Sequence, residues 1–122
     1  MILSWLINLV KNEGFKVFTF AKSKKTTFKN KNKDNKTKKN YHFDWIETSW
    51  QEDAKNTILA LGSDIIDWLV VDHYALDKKW ENKLRPYVKK IMVIDDLADR
   101  EHNCDLLLDQ NLIANQELRY KK

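Results

Sequence analysis

Three short apolar runs, each closed by aspartate, constrain this chain more than any other feature. Trp68-Leu69-Val70-Val71 ends in Asp72, Ile91-Met92-Val93-Ile94 ends in Asp95-Asp96, and Leu106-Leu107-Leu108 ends in Asp109. A strand that alternates apolar and polar residues has one wet face, whereas a continuous apolar strand needs cover on both. Between the first two runs, Trp80 and Leu84 stand at helical spacing within residues 77–85, and Pro86 restricts its predecessor and is expected to stop that helix. Such runs alternating with helices predict an α/β fold, a Rossmann-like parallel sheet covered on both faces. Ligands of such sheets sit outside the carboxyl ends of the strands. Asp72-His73-Tyr74, Asp95-Asp96 and Asp109-Gln110-Asn111 fall there.

Upstream, Ile2, Leu3, Leu6, Leu9 and Val10 follow the spacing of an amphipathic helix, which Trp5 and Ile7 widen. Gly14 supplies the left-handed stop, and residues 15–20 read as a strand. Ser49 followed by Glu52 is a capping-box pattern, with Thr48 and Gln51 as the alternative register. The helix it opens is expected from Trp50 to Leu61, with Ala54, Ile58 and Leu61 on one face and Gly62 at its end.

Between these units, residues 22–40 collapse to Lys, Asn, Thr and Ser with one aromatic, Phe28. Nine lysines face one acid, Asp34, a net of +8; the whole chain carries +4, so the remainder carries −4. The molecule is an acidic domain with one basic run, and its high pI is no argument that the domain as a whole binds nucleic acid. A stretch this polar cannot offset its ordering entropy by burial and is expected to be a disordered loop. Loops beyond about 12–15 residues are uncommon inside compact domains, which makes the segment anomalous.

At 122 residues the chain has room for one domain or part of one. It contains no run of roughly 18 apolar residues, so no membrane span is expected. Residues 1–10 have no basic residue ahead of them and no small-residue cleavage site after them, so no signal peptide is expected. One cysteine, Cys104, cannot form an internal disulfide, and the chain reads as a protein of a reducing cytoplasm.

Each candidate for chemistry has a plain structural counterpart. Asp72, Asp95 and Asp96 offer hard oxygens to a divalent cation, but carboxylates at strand ends more often cap the following loop. No metal and no cofactor is expected. A receiver-domain reading of the acidic pair fails, because too little chain follows Asp96 to supply that fold's remaining strands. His73 exchanges protons near neutral pH and Tyr74 offers a phenolic donor; otherwise His73 bonds a loop carbonyl and Tyr74 packs. His102 and Cys104 lack a second pair at zinc spacing. With only Gly14 and Gly62 in the chain, neither a P-loop nor a nucleophile elbow exists. The lysine run lacks the interleaved arginines and stacking aromatics of a developed single-strand surface, and nucleic acid is not the expected partner.

Taken together, Asp67-Trp68-Leu69-Val70-Val71-Asp72-His73-Tyr74-Ala75-Leu76-Asp77, Trp80-Glu81, Val93-Ile94-Asp95-Asp96-Leu97-Ala98-Asp99-Arg100 and His102-Asn103-Cys104-Asp105-Leu106-Leu107-Leu108-Asp109-Gln110-Asn111 resemble a known family. It is the UDP-2,4-diacetamido-2,4,6-trideoxy-β-L-altropyranose hydrolases of pseudaminic acid biosynthesis, with relatives in spore-coat polysaccharide synthesis. The likeness is specific over residues 44–122, including Glu47-Thr48-Ser49-Trp50-Gln51-Glu52-Asp53-Ala54, and weaker over 3–20.

The resemblance implies a glycosyltransferase-B-like enzyme of two domains that releases UDP from an amino-sugar nucleotide. It implies that residues 1–122 are an incomplete N-terminal Rossmann-like domain, with 110–122 opening the interdomain linker and the UDP-binding second domain absent. The family carries its catalytic histidine in a G-x-G-H-x-x-R loop that has no counterpart here. Tyr74 matches the tyrosine of its V-D-H-Y motif and is the catalytic candidate. His73, Asp72, Asp95, Asp96 and Asn111 are the substrate-binding candidates. Residues 22–40 replace a helix and a strand of the family, a loss that favours a decayed or truncated copy and leaves an open sheet edge through which copies are expected to associate.

The expectation is therefore a fragment of a nucleotide-sugar hydrolase, inactive alone, whose partner in the intact enzyme is a UDP-sugar. The alternatives are a glycosyltransferase-B-like transferase relative and a small module whose basic loop binds an anionic partner.

Overall fold

The computed structural model describes residues 2–20, 46 and 48–121, the first two of these by backbone alone. The lysine run 22–40, the segment 41–45 and Glu47 lie outside the described residues. Helix α1 (Ile2–Asn12) is followed by α2 (Trp50–Leu61), β1 (Ile66–Val71), α3 (Lys78–Leu84), β2 (Val88–Ile94) and β3 (Leu106–Leu108). Short 3-10 turns occupy Arg85–Tyr87 and Gln116–Leu118.

The strands form a three-stranded parallel sheet in the order β1-β2-β3, as the apolar runs predict. Register pairs Leu69 with Ile91 and Val71 with Val93, and Val93 in turn with Leu107. Because side chains alternate across a strand, these residues share one face. Ala54 of α2, and Trp80 and Leu84 of α3, pack there with Val71, Val88, Ile91 and Val93 to make the core. Ile91 and Leu84 are fully buried, so cutting either back to alanine would cost roughly 2–5 kcal/mol.

Helix boundaries follow local chemistry. The Ser49 side chain accepts from Glu52 N–H, so half of the expected capping box is formed. Gly62 ends α2 at φ 65°, and Gly14 follows α1 at φ 89°, both in the left-handed region where a side chain is strained. Asp77 caps α3 through Lys79 N–H. The Trp80 indole donates to Asp53 at 2.8 Å, which ties α3 to the first turn of α2.

Three expectations are corrected. The sheet is covered on one face only among the described residues: Trp68, Val70, Leu106 and Leu108 stay about half exposed on the other. Residues 15–20 are not a strand, because they join no ladder and leave Phe15, Phe18 and Phe20 exposed. Pro86 does not force Arg85 out of helical geometry: Arg85 sits at φ −47°, ψ −42°, and the chain runs on as a 3-10 turn. Proline at the start of that turn gives up an N–H that would have had no partner anyway. The Arg85 guanidinium meanwhile reaches Asp105 and the Asn103 carbonyl, anchoring the turn against the residues before β3.

Candidate functional site

The carboxyl ends of β1, β2 and β3 do bring the expected polar residues to one edge. Tyr74, just past β1, donates its hydroxyl to Asp96 Oδ1 at 2.8 Å, so it does more than pack. The other oxygen of Asp96 accepts from Gln110 Nε2 at 3.3 Å, and its backbone carbonyl accepts from Asn111 Nδ2 at 3.3 Å. The hydrogen bond to the Asp96 carboxylate, more than any other influence, pushes the Tyr74 phenol above its ordinary pKa. It therefore keeps its proton through the neutral range and acts as a donor.

His73 is exposed, and its Nδ1 accepts from Ala75 N–H at 3.1 Å. The bond runs opposite to the loop-carbonyl contact expected of it, and it places the ring proton on Nε2. Asp72 is exposed beside it. Asp109 caps its own turn through Asn111 N–H at 2.9 Å.

Asp95 plays a different part. It is 1% exposed, and its carboxylate takes Arg100 Nη1 at 2.9 Å and Ala98 N–H at 3.1 Å. Ala98 is held at φ 52°, a left-handed conformation that costs an L-residue of order 1–3 kcal/mol and here turns the chain back over the strand end. Burial alone would raise the Asp95 pKa. His102 and Arg100 outweigh it and hold the carboxyl well below the usual range. The structure thus gives Asp95 the capping role and removes it from the accessible edge.

The sequence reading missed what surrounds Asp95. Glu81 of α3 is fully buried, accepts from Asn103 N–H, and lies 2.6 Å from His102 Nδ1. His102 Nε2 stands 3.7 Å from Asp95 Oδ2, close enough for ion pairing but too far for a hydrogen bond. Burial pulls the imidazole pKa down, yet the two carboxylates raise it to about 9. His102 is therefore a cation at neutral pH, clamped between Glu81 and Asp95, while Arg100 also reaches Asp99 and the Leu76 carbonyl. Nothing in one-dimensional spacing marks this cluster. Its members come from a helix, a strand end and a loop.

The tail closes the edge. The Tyr120 hydroxyl lies 2.8 Å from the Asp95 carbonyl and 3.0 Å from Asp109 Oδ2, and Arg119 pairs with Asp109 at 2.5 Å. A cleft of about 270 Å³ opens beside β3, with Arg100, His102, Leu107, Arg119 and Tyr120 in its walls. None of Asp72, His73, Tyr74, Asp95, Asp96 or Asn111 lines it. Cys104 does, but burial, with Glu81 adding to it, pushes its thiol pKa up and leaves it a poor nucleophile. Among the described residues no three His, Cys, Asp or Glu side chains cluster to hold a metal ion. No described helix is long and apolar enough to cross a membrane.

The edge is thus a braced rim. Tyr74, Asp96 and Asn111 present hydrogen-bonding groups there, and buried charge pairs behind them hold the loops in place. No family model, no curated protein and no solved structure matches the chain.

Proposed function

We propose that this chain is the sugar-facing part of a nucleotide-sugar hydrolase with a glycosyltransferase-B-like, cytoplasmic architecture. The observation that carries the reading is the meeting of Tyr74, Asp96 and Asn111 at the carboxyl ends of three parallel strands. These residues come from the V-D-H-Y, I-D-D-L and D-Q-N segments on which the family resemblance rests. A rim of this kind suits the hydroxyl and acetamido groups of an amino sugar, which offer both donors and acceptors.

In the reaction, water attacks the anomeric carbon or the adjoining phosphorus, the bond to the leaving group breaks, and UDP departs as a proton passes to a base. Tyr74, oriented by Asp96, would hold a sugar oxygen or the attacking water, a positioning role that depends on its fixed geometry. The base of the family is a histidine in a glycine-rich loop with no counterpart in these residues. Residues 1–122 by themselves are therefore expected to bind weakly and not to turn over.

A titration of the isotope-labelled chain with UDP-N-acetylglucosamine, followed by amide chemical shifts, tests this. Shifts confined to residues 72–74, 95–97 and 109–111 without UDP release would support the reading. Absence of shifts there at millimolar ligand, or release of UDP above background, would overturn it. The nine lysines of 22–40 favour a second reading, a polyanion-binding module. Its mark is heparin affinity that falls steeply with salt and disappears when 22–40 are deleted.

A further inference from the structure

The uncovered sheet face carries the inference. Trp68 and Val70 of β1 are 50% and 56% exposed, and Leu106 and Leu108 of β3 are 49% and 44% exposed. Register places Val70, Met92 and Leu106 side by side, so these groups form one continuous apolar patch. β1 also presents a free edge among the described residues, since it pairs only with β2. Natural edge strands are short, charged or bulged. β1 is weakly protected: Asp67 near its start is its one charge, and four of its six residues, Trp68 to Val71, form an unbroken apolar run of the kind found inside sheets.

The same chain displays a matching unit. Helix α1 exposes Trp5, Leu6 and Leu9 along one stripe, and none of its residues joins the core formed by the described residues. After Gly14, residues 15–20 belong to no helix, turn or ladder and leave Phe15, Phe18 and Phe20 exposed. No backbone hydrogen bond joins residues 16–20 to another described residue. Among the described residues, an uncovered helix stripe and a segment outside any ladder thus coexist with a sheet face lacking a helix and a strand edge lacking a partner.

We infer that this protein forms a two-fold dimer in which the 2–20 unit of each copy covers the open sheet face and free β1 edge of the other. Each copy carries both the donor unit and the acceptor face, so a reciprocal exchange closes on itself and leaves neither unpaired, whereas a one-way contact would leave both exposed at its ends. The exposed portions of these side chains amount to roughly 1,000 Å² per copy, above the roughly 800 Å² per partner of a standard stable interface. Aromatic groups dominate the donor unit, and Trp68 stands on the β1 edge of the acceptor face, a residue type enriched at the energetic centres of such interfaces.

Sedimentation velocity on the full chain from 1 to about 100 μM tests the exchange, with two double variants at exposed sites. Leu6→Glu with Leu9→Glu spoils the donor stripe, and Val70→Glu with Leu108→Glu spoils the acceptor face. The wild type should dimerise, and each variant should weaken the dimer by about 100-fold with unchanged far-UV circular dichroism. A Leu9→Cys, Val70→Cys, Cys104→Ser chain should crosslink between differently tagged copies on oxidation. A wild-type monomer throughout the range, open-ended assembly instead of a dimer, crosslinks within one copy only, or a dimer insensitive to either double variant would each overturn the proposal.

Discussion

Replacing His102 by phenylalanine tests the idea that buried charge pairs brace the strand ends. The imidazole lies 2.6 Å from Glu81 Oε1 and 3.7 Å from Asp95 Oδ2, with its side chain 3% exposed and both carboxylates fully buried. Phenylalanine keeps most of the volume and removes the cation. Asp95 retains Arg100, but Glu81 is left with the Asn103 N–H and no positive partner. Stranding a buried charge in this way costs on the order of 3–5 kcal/mol.

The wild type also carries a pH signature. The folded-state pKa of about 9 lies above the ordinary His value of 6.5, so the folded state binds the proton more tightly. The resulting stability is fully present below pH 6.5, declines as pH rises from there, and is lost once the pH passes 9. By linkage it amounts to about 3 kcal/mol.

Urea unfolding at pH 6 and at pH 9.5, followed by tryptophan fluorescence with buried Trp80 as one reporter, measures both quantities. His102→Phe should be less stable than the wild type at pH 6. A Glu81→Gln, His102→Phe chain should recover at least half the loss and be nearly flat between the two pH values, since the cation and the stranded charge are both gone. A wild type whose stability does not fall over this window, or a double variant that keeps the fall, would refute the reasoning.

Three further outcomes are expected. Tyr74→Phe removes the hydroxyl from Asp96 and should leave stability nearly unchanged while weakening UDP-N-acetylglucosamine binding about 5–10-fold, read by the same amide titration. Trp80→Phe loses the indole bond to Asp53 and should destabilise by about 1–2 kcal/mol in urea, with the lost coupling recovered only by testing it against Asp53→Ala in a double-mutant cycle. Asp105 is held down to about 2, first by the Ile91 N–H and then by Arg85, so its contribution is present above the ordinary carboxylate pKa and lost as pH falls through about 2. Asp105→Asn should therefore flatten acid unfolding between pH 4 and 2, as followed by circular dichroism.

Much of the fold was legible because it rests on short-range rules. Continuous apolar runs closed by aspartate located β1, β2 and β3, and the Ser49 and Gly62 signals bounded α2 at Trp50–Leu61. The edge carrying Tyr74, Asp96 and Asn111 followed from the parallel sheet, since strand ends of one polarity must collect on one side. Residues 15–20 show where local pattern misleads. Their composition suits a strand, but a strand exists only when a neighbour supplies its ladder, and no described residue does so.

Sequence alone therefore determined α1 to α3, β1 to β3, their parallel sheet and the residues at its carboxyl edge, because periodicity, capping and chain polarity are local properties. Tertiary structure alone decided which carboxylates stay accessible and which become bracing. Asp95 and Asp96 are neighbours in the chain, yet Asp95 is buried against Arg100 and His102 while Asp96 faces Tyr74. That division depends on burial and on partners 5 to 22 residues away. The folding of α3 and the 95–104 connection over the sheet links Glu81, His102, Asp95 and Arg100 in a chain of ion pairs, where each charge is costly without its partner.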